Sequence, residues 1–326
     1  MSDARPVAVV LGVDDRHRPP QMDALSDRME FRVTGPDRLA AALPGARVLL
    51  VWDFFSTALR EAWPQAGDLE WVHVAAAGVD TLLFPDLVAS PVVVTNARGI
   101  FDRPIAEFVL ASVLAHAKLL HQSHDLQARR EWRHRETRSV AGARALVVGT
   151  GAIGREIARL LRAAGLVVRG AGRRPTDDDP DFETVVSSGD LPAAVPWADY
   201  VVNAAPLTPQ TTGLFDAEVF RAMRPTAHFV NVGRGASVVE DDLVDALEAG
   251  ELDGASLDVF VTEPLPEDSP LWKAPGVAIS AHMSGDVVGW RDRLAEQFVE
   301  NARRWLEGEE LVNVVDKELG YVRRPS

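Results

Sequence analysis

Ten short apolar runs, most of them unbroken, constrain this chain more than any other feature: 7–12, 48–52, 71–75, 92–95, 145–149, 166–171, 200–204, 228–232, 255–260 and 277–281. A strand with one wet face alternates apolar and polar residues, whereas a strand covered by helices on both sides has no polar face to show. The runs therefore read as parallel strands, and the helix-like segments recurring between them make the fold class doubly wound α/β. At 326 residues the chain exceeds one ordinary core of about 150 residues, so two such sheets are expected.

The division falls where the pattern breaks. Near 99–104 a strand and turn end and a long helix over 105–130 begins; the polar, charged stretch 131–142 then leads into the next strand. A second crossing is expected at 284–289, a glycine-containing link before a helix over 290–307 whose Trp290, Leu294, Phe298 and Trp305 fall near one face. The economical arrangement makes residues 1–102 together with 286–326 one domain and residues 103–285 the other. Two crossovers imply a cleft, a common place for ligands.

Composition removes several classes of function. The formal charge of −14 opposes nucleic-acid binding, which depends on clustered Lys and Arg; it reads as solubility, although a local cationic pocket still admits a small anion. With no cysteine there is no disulfide and no thiolate nucleophile or metal ligand. Residues 1–5 run straight into the first apolar stretch without a signal-peptide core, and the most apolar helical stretch, 108–120, is interrupted by His116 and Lys118 and too short to span a bilayer. A soluble, cytoplasmic protein with no membrane partner is expected. His121 and His124 lie one helical turn apart but lack a third ligand, so no metal is expected.

The run 145–149 ends in Gly149-Thr150-Gly151-Ala152-Ile153-Gly154, followed by a helical stripe of Ile153, Ile157, Leu160 and Leu161. In a strand–turn–helix unit the first glycine permits the turn, the second lets the backbone approach a pyrophosphate, and the third lets helix pack on strand. The helix start offers N–H groups and a positive dipole end to the phosphates. A dinucleotide is the expected cofactor. The next strand ends in Gly172-Arg173-Arg174, where an NAD site places an acidic residue for the ribose 2′-hydroxyl. Two guanidiniums suit a 2′-phosphate, so NADP is expected over NAD, with NAD still possible. The competing reading is a solvated arginine pair partly neutralised by Asp177, Asp178 and Asp179.

Three further segments follow strands: Asn231-Val232-Gly233-Arg234-Gly235, the stretch from Leu257 to Pro264, and Ser280-Ala281-His282-Met283. Spacing alone does not join Arg234, Glu263 and His282, but parallel strands would deliver all three to one sheet edge. Hydride exchange with a 2-oxo acid needs a cation for the carboxylate, an acid/base for the oxygen and a group that tunes it; Arg, His and Glu supply these. Taken singly, each has a blander reading: a surface charge, a loop carboxylate, a core histidine.

With these residues the chain resembles the D-isomer-specific 2-hydroxyacid dehydrogenase family over essentially its whole length. Further strings carrying the likeness are Pro206-Leu207-Thr208-Pro209-Gln210-Thr211-Thr212-Gly213, Leu257-Asp258-Val259-Phe260 and Glu263-Pro264-Leu265. The Gly-Arg-Arg stretch and the ending Asn313-Val314-Val315-Asp316 look closest to NADP-dependent glyoxylate/hydroxypyruvate reductase-like members. The resemblance implies a Rossmann cofactor domain over 103–285 and a flavodoxin-like substrate domain over 1–102 with 286–326. It implies that His282 is the acid/base, that Glu263 orients it, and that Arg234 binds the substrate carboxylate. Backbone amides of Ala76, Ala77, Gly78 and Val79 would add carboxylate donors. Asp258 and the Val232 carbonyl would orient the nicotinamide carboxamide, and Pro206 and Thr212 would line the cofactor. Phe108, Leu110, Val113 and Leu119 on the long helix read as core or a dimer surface, and the resemblance implies a homodimer formed there.

The chain departs from the family at Ala281, commonly proline, and at Met283-Ser284-Gly285-Asp286, commonly small residues. Asp286 is open to two readings, a hinge contact or discrimination against extra negative charge. His73 is read as a packing residue or a minor substrate contact. The activity expected is reduction of a small 2-oxo acid. The alternatives are phosphoglycerate oxidation, disfavoured because no regulatory domain follows Ser326, and a non-catalytic dinucleotide-sensing regulator, disfavoured by the intact Arg–Glu–His set. Formate oxidation is disfavoured because it needs no proton transfer by histidine.

Overall fold

The apolar runs form two parallel sheets in the computed structural model, which describes residues 5–14 and 18–323. The chain divides into two compact units, Met1–Phe101 with Val288–Ser326, and Asp102–Val287.

The first unit carries β1 (Val7–Leu11), β2 (Glu30–Thr34), β3 (Ala46–Val51), β4 (Trp71–Val74) and β5 (Val93–Asn96) in the order β2-β1-β3-β4-β5, all parallel. That is the flavodoxin-like winding. The helix Trp290–Glu307 covers one face of the sheet with Ala295, Phe298, Val299 and Ala302, and the Phe298 ring stacks on Trp71 at 5.4 Å. Trp305, expected on the same face, packs half-buried against the same cluster, with the Arg47 guanidinium over its ring at 4.7 Å. Strand β2 escaped the sequence reading because Glu30-Phe31-Arg32-Val33-Thr34 is an edge strand with charged residues interleaved. His73 is fully buried and hydrogen-bonded to Thr95 Oγ1 at 2.8 Å, so it packs the core.

The second unit carries β6 (Arg144–Val148), β7 (Val167–Gly172), β8 (Val185–Ser187), β9 (Tyr200–Asn203), β10 (His228–Asn231), β11 (Gly254–Leu257) and β12 (Val277–Ile279). Their order, β12-β11-β10-β9-β6-β7-β8, reverses between β6 and β9, the Rossmann switch point. The helix Ala152–Ala163 buries Ile157, Ala158 and Leu161 completely; each large side chain so buried contributes about 1.5–3 kcal/mol.

One expectation fails here. The helix read over 105–130 is two helices, Asp102–Ala117 and Leu120–Ala128, bent by 63° at Leu119, which has φ +51°. The polar stretch that follows returns along the break: Arg138 N–H donates to the Ala117 carbonyl at 2.9 Å, and Lys118 Nζ donates to the Arg138 carbonyl at 2.7 Å. The returning chain thereby takes a carbonyl that a continuing helix would have used. Among the described residues no single helix is long and apolar enough to cross a membrane.

Candidate active site

Three neighbouring strands of the second unit deliver three side chains to one edge. Arg234 follows β10, Glu263 follows β11 and His282 follows β12. The turn bearing Arg234 is fixed from beneath by buried amides. Asn203, the last residue of β9, donates from Nδ2 to Asn231 Oδ1 at 2.9 Å and to Ser237 Oγ at 2.7 Å. The Ser237 hydroxyl and Asn231 Nδ2 in turn donate to the Arg234 carbonyl at 2.5 and 3.3 Å. A fully satisfied buried polar network of this kind specifies one backbone conformation.

Glycines flank Arg234 because nothing larger fits. A Cβ at Gly233 would lie 2.9 Å from the Ala205 carbonyl oxygen, and one at Gly235 would lie 1.8 Å from the Phe260 carbonyl carbon. The second contact seats the Arg234 turn directly against the segment leading to Glu263.

Glu263 uses its two oxygens differently. Oε1 accepts the Phe260 N–H at 2.9 Å, and Oε2 lies 2.7 Å from His282 Nδ1. Burial pushes this carboxyl up, but the hydrogen bonds from His282 and Phe260 and the charge of Arg234 outweigh it and hold it below its ordinary value. The glutamate is therefore anionic at neutral pH, and the proton it faces belongs to the imidazole.

His282 sits at φ +50°, a left-handed conformation that costs a non-glycine residue about 1–3 kcal/mol. Asp258 holds it there. The Asp258 carbonyl accepts the His282 N–H at 2.8 Å. One carboxylate oxygen accepts the Ser280 hydroxyl at 2.6 Å and the Met283 N–H at 2.9 Å, and the other accepts the Ser284 N–H at 3.0 Å. Asp258, read from sequence as a nicotinamide ligand, is 1% exposed and spends both oxygens on the loop that carries the histidine. Asp286 closes the same loop, its N–H donating to the Met283 carbonyl at 2.9 Å.

The glycine turn follows β6, beside the switch point. Gly149 has φ +102°, and a Cβ there would meet the Ala204 carbonyl at 2.6 Å; a Cβ on Gly154 would fall 1.8 Å from the Gly149 carbonyl oxygen. These two glycines serve the protein's own packing. A Cβ on Gly151 would meet nothing within 4 Å, so its bareness leaves open space at the N-terminus of the helix Ala152–Ala163, whose first residues include Ile153. The arrangement fits a pyrophosphate. Gly172 is also needed by the fold, since a Cβ there would lie 2.8 Å from Thr150 Oγ1; Arg173 and Arg174 beyond it are exposed.

The loop of Pro206 and Thr212 folds on itself, with Thr211 Oγ1 donating to the Pro206 carbonyl at 2.7 Å and Thr212 Oγ1 to the Thr208 carbonyl at 3.0 Å. The Val232 N–H donates to the Asn203 carbonyl at 3.0 Å. In the first unit, the loop Ala76, Ala77, Gly78 and Val79 follows β4. Its Ala76 carbonyl accepts the Ala97 N–H at 2.8 Å and its Ala77 carbonyl accepts Asn96 Nδ2 at 2.6 Å.

Residues 110–284 match the family described as D-isomer specific 2-hydroxyacid dehydrogenase, NAD binding domain. The chain is 32% identical over 266 residues to glyoxylate/hydroxypyruvate reductase A of Serratia proteamaculans, covering 78% of this chain and 82% of that one. It belongs to this family. It is also 32% identical over 320 residues to D-3-phosphoglycerate dehydrogenase of Mycobacterium bovis, covering 96% of this chain and 60% of the relative. The NADPH-dependent glyoxylate/hydroxypyruvate reductase of Sinorhizobium meliloti, solved with NADP and sulfate, superposes with a TM-score of 0.81 at 29% identity over 98% of this chain and all of that one.

A 2-hydroxyacid dehydrogenase acts at a CH–OH group, and several residues that shape the site for it went unread in the sequence. Asn203, Ser237 and Ser280 are single polar residues whose importance lies in what they touch across the sheet. Asn203 alone carried a signal, as a buried amide closing an otherwise apolar strand.

Proposed function

We propose that this 2-hydroxyacid dehydrogenase reduces a small 2-oxo acid of the glyoxylate or hydroxypyruvate type to the D-2-hydroxy acid, with NADPH preferred and NADH possible. The observation that carries the reading is the 2.7 Å pair between His282 Nδ1 and anionic Glu263, which follow the two strands next in order to the one that precedes Arg234. The reductase names of the Serratia and Sinorhizobium relatives, and NADP in the latter's structure, support the substrate class and cofactor.

The dinucleotide, when bound, supplies the hydride. The turn that Gly149 and Gly154 shape, with Gly151, Ala152 and Ile153 at the helix start, would hold its pyrophosphate, Arg173 and Arg174 would meet its 2′-phosphate, and Pro206, Thr212 and Val232 would line its course. Arg234 would bind the substrate carboxylate and polarise the carbonyl. Glu263 fixes the imidazole through Nδ1, so the proton reaching the substrate oxygen leaves from Nε2 of His282. Asp258 holds the histidine loop whether or not it also meets the carboxamide.

The test is a panel of 2-oxo acids assayed with NADPH and NADH. NADPH should give the higher kcat/KM; a higher value with NADH throughout would refute the arginine assignment. His282→Ala should lower kcat by about 10²–10⁴, and an unchanged rate would remove it from the reaction. A second reading, oxidation of a phosphorylated hydroxy acid, is favoured by the mycobacterial relative matched over 96% of this chain. Turnover of 3-phosphoglycerate exceeding that of every 2-oxo acid would select it.

The same reading makes the protein a cytoplasmic homodimer. Phe108, Leu110 and Leu114 lie half-buried on the helix Asp102–Ala117, and Trp132 in the returning segment is fully exposed, the kind of apolar surface a second copy covers. Light scattering that gives a monomer at micromolar concentration would exclude it.

A further inference from the structure

The loop after the two arginines poses an electrostatic problem. Residues 173–181 hold Arg173 and Arg174 against Asp177, Asp178, Asp179 and Asp181, a formal balance of −2 where a dianionic 2′-phosphate is to bind. The aspartates shape the loop: Asp179 Oδ1 accepts the N–H groups of Asp181 and Phe182 at 3.0 and 3.3 Å.

Arg155, the residue after the third glycine, answers them. Its guanidinium grips Asp179 in a two-pronged pair, Nη1 to Oδ1 and Nη2 to Oδ2, both at 2.7 Å, while Nη1 also reaches Asp181 Oδ2 at 2.8 Å. Arg159, one turn on, meets Asp181 from the other side at 2.8 Å. The three side chains of the inner cluster are nearly dry, with Arg155 9%, Asp179 7% and Asp181 10% exposed, so water screens their charges poorly. The Arg155 guanidinium also lies over the Phe182 ring at 5.4 Å, and that ring packs against Gly170 of β7. Hydrogen bonds from Arg155 hold the Asp179 carboxyl below its ordinary value; burial raises Asp181, and Arg155 and Arg159 together bring it down. Both are therefore fully charged, and their charge is cancelled locally.

We propose that Arg155 is a cofactor-specificity residue: by neutralising Asp179 and Asp181 it lets a loop built on carboxylates accept a 2′-phosphorylated ribose. This rests on the NADP reading above and deepens it, because it locates the preference partly in a residue that need not touch the cofactor. A purely structural clamp would hold the helix start and the loop together without favouring one dinucleotide over the other.

The experiment measures binding of 2′-phospho-ADP-ribose and of ADP-ribose to the full chain by calorimetry. Arg155→Met should weaken the phosphorylated ligand by about tenfold, the scale of one uncompensated charge at poorly screened range, while ADP-ribose changes less than about twofold. Arg155→Lys, which keeps the charge without the fork, should lose less than about threefold. Should the methionine variant not fold, Asp179→Asn with Asp181→Asn provides the opposite arm. Asparagine retains the oxygen that shapes the loop and leaves Arg155 uncompensated, so the phosphorylated ligand should bind about fivefold more tightly and ADP-ribose as before. Equal changes in both ligands, or an unchanged ratio in the double variant, would overturn the proposal. A wild-type protein that does not favour the phosphorylated ligand would refute the NADP reading first and this inference with it; a wild-type preference that survives every substitution would refute the inference alone.

Discussion

The missing side chain of Gly235 is filled by the peptide group of Phe260: a Cβ built on the glycine would fall 1.8 Å from the Phe260 carbonyl carbon and 2.4 Å from the Val261 nitrogen. This contact joins the loop of Arg234 to the loop of Glu263. Gly235→Ala should force the two loops apart by an ångström or more. A displacement of that size costs about 10²-fold in rate when reacting groups are misaligned. Steady-state kinetics should show the loss in kcat/KM, and thermal melting should show a lower Tm; unchanged kinetics would mean that the loops are not coupled.

Glu263 and His282 meet in a charge-assisted bond, with the Glu263 carboxyl held below its ordinary value. A group so depressed contributes stability above its unfolded pKa, and loses it as pH falls through the lower folded value. Near neutral pH the carboxylate therefore remains ionised opposite the imidazole. Glu263→Gln removes that charge and the carboxylate that fixes the imidazole through Nδ1, so kcat should fall by about tenfold or more with the KM for substrate changed less. A kcat equal to that of wild type would exclude the assigned role.

Cofactor exchange is predicted to need two substitutions. Placing aspartate at Gly172, the position an NAD site would use, drives its Cβ to 2.8 Å from Thr150 Oγ1. Gly172→Asp alone should therefore impair both NADPH and NADH. The combination with Thr150→Gly should recover NADH turnover and lose NADPH preference by about 10-fold or more, the scale of a lost charge-assisted contact. A ratio of kcat/KM values for the two cofactors is the measurement.

Asp258→Asn should act on the histidine loop. The amide group replaces an acceptor facing either the Met283 or the Ser284 N–H, leaving one buried donor unpaired at a cost of about 1–3 kcal/mol. We expect a lower kcat, with increased hydrogen exchange confined to residues 281–285. A rise in the KM for NADPH with kcat unchanged would instead assign Asp258 mainly to the nicotinamide.

His73 predicts an acid sensitivity in the first unit. Burial lowers its pKa from 6.5 to about 3, so the folded form keeps it neutral while the unfolded chain takes up a proton. Stability should therefore fall as pH drops below about 6.5, by about 1.4 kcal/mol per unit until about 3. Urea unfolding of wild type and His73→Leu at several pH values should show a shallower acid slope in the variant; equal slopes would refute it.

Much of this is legible in the sequence. Unbroken apolar runs have only one economical explanation, burial on both faces, so the chain alone specified parallel sheets under helices. The Gly149, Gly151 and Gly154 pattern could be placed because its three requirements are local to a single strand–turn–helix unit, and the family likeness followed from strings of that same local kind. The broken helix at Leu119 was not legible, because the hydrogen bond that ends it comes from Arg138, distant in sequence. The same holds for the site. Sequence named Arg234, Glu263 and His282, but only strand order joined them, and only the folded chain showed that Asn203, Ser237 and Asp258 hold their loops. It likewise paired Asp179 with Arg155, although the sequence offered Arg173 and Arg174 as nearer partners. Periodicity and backbone freedom are properties of neighbouring residues and can be read along the chain. The partner of a polar group is whatever the topology brings within about 3 Å, and that was decided by the tertiary structure.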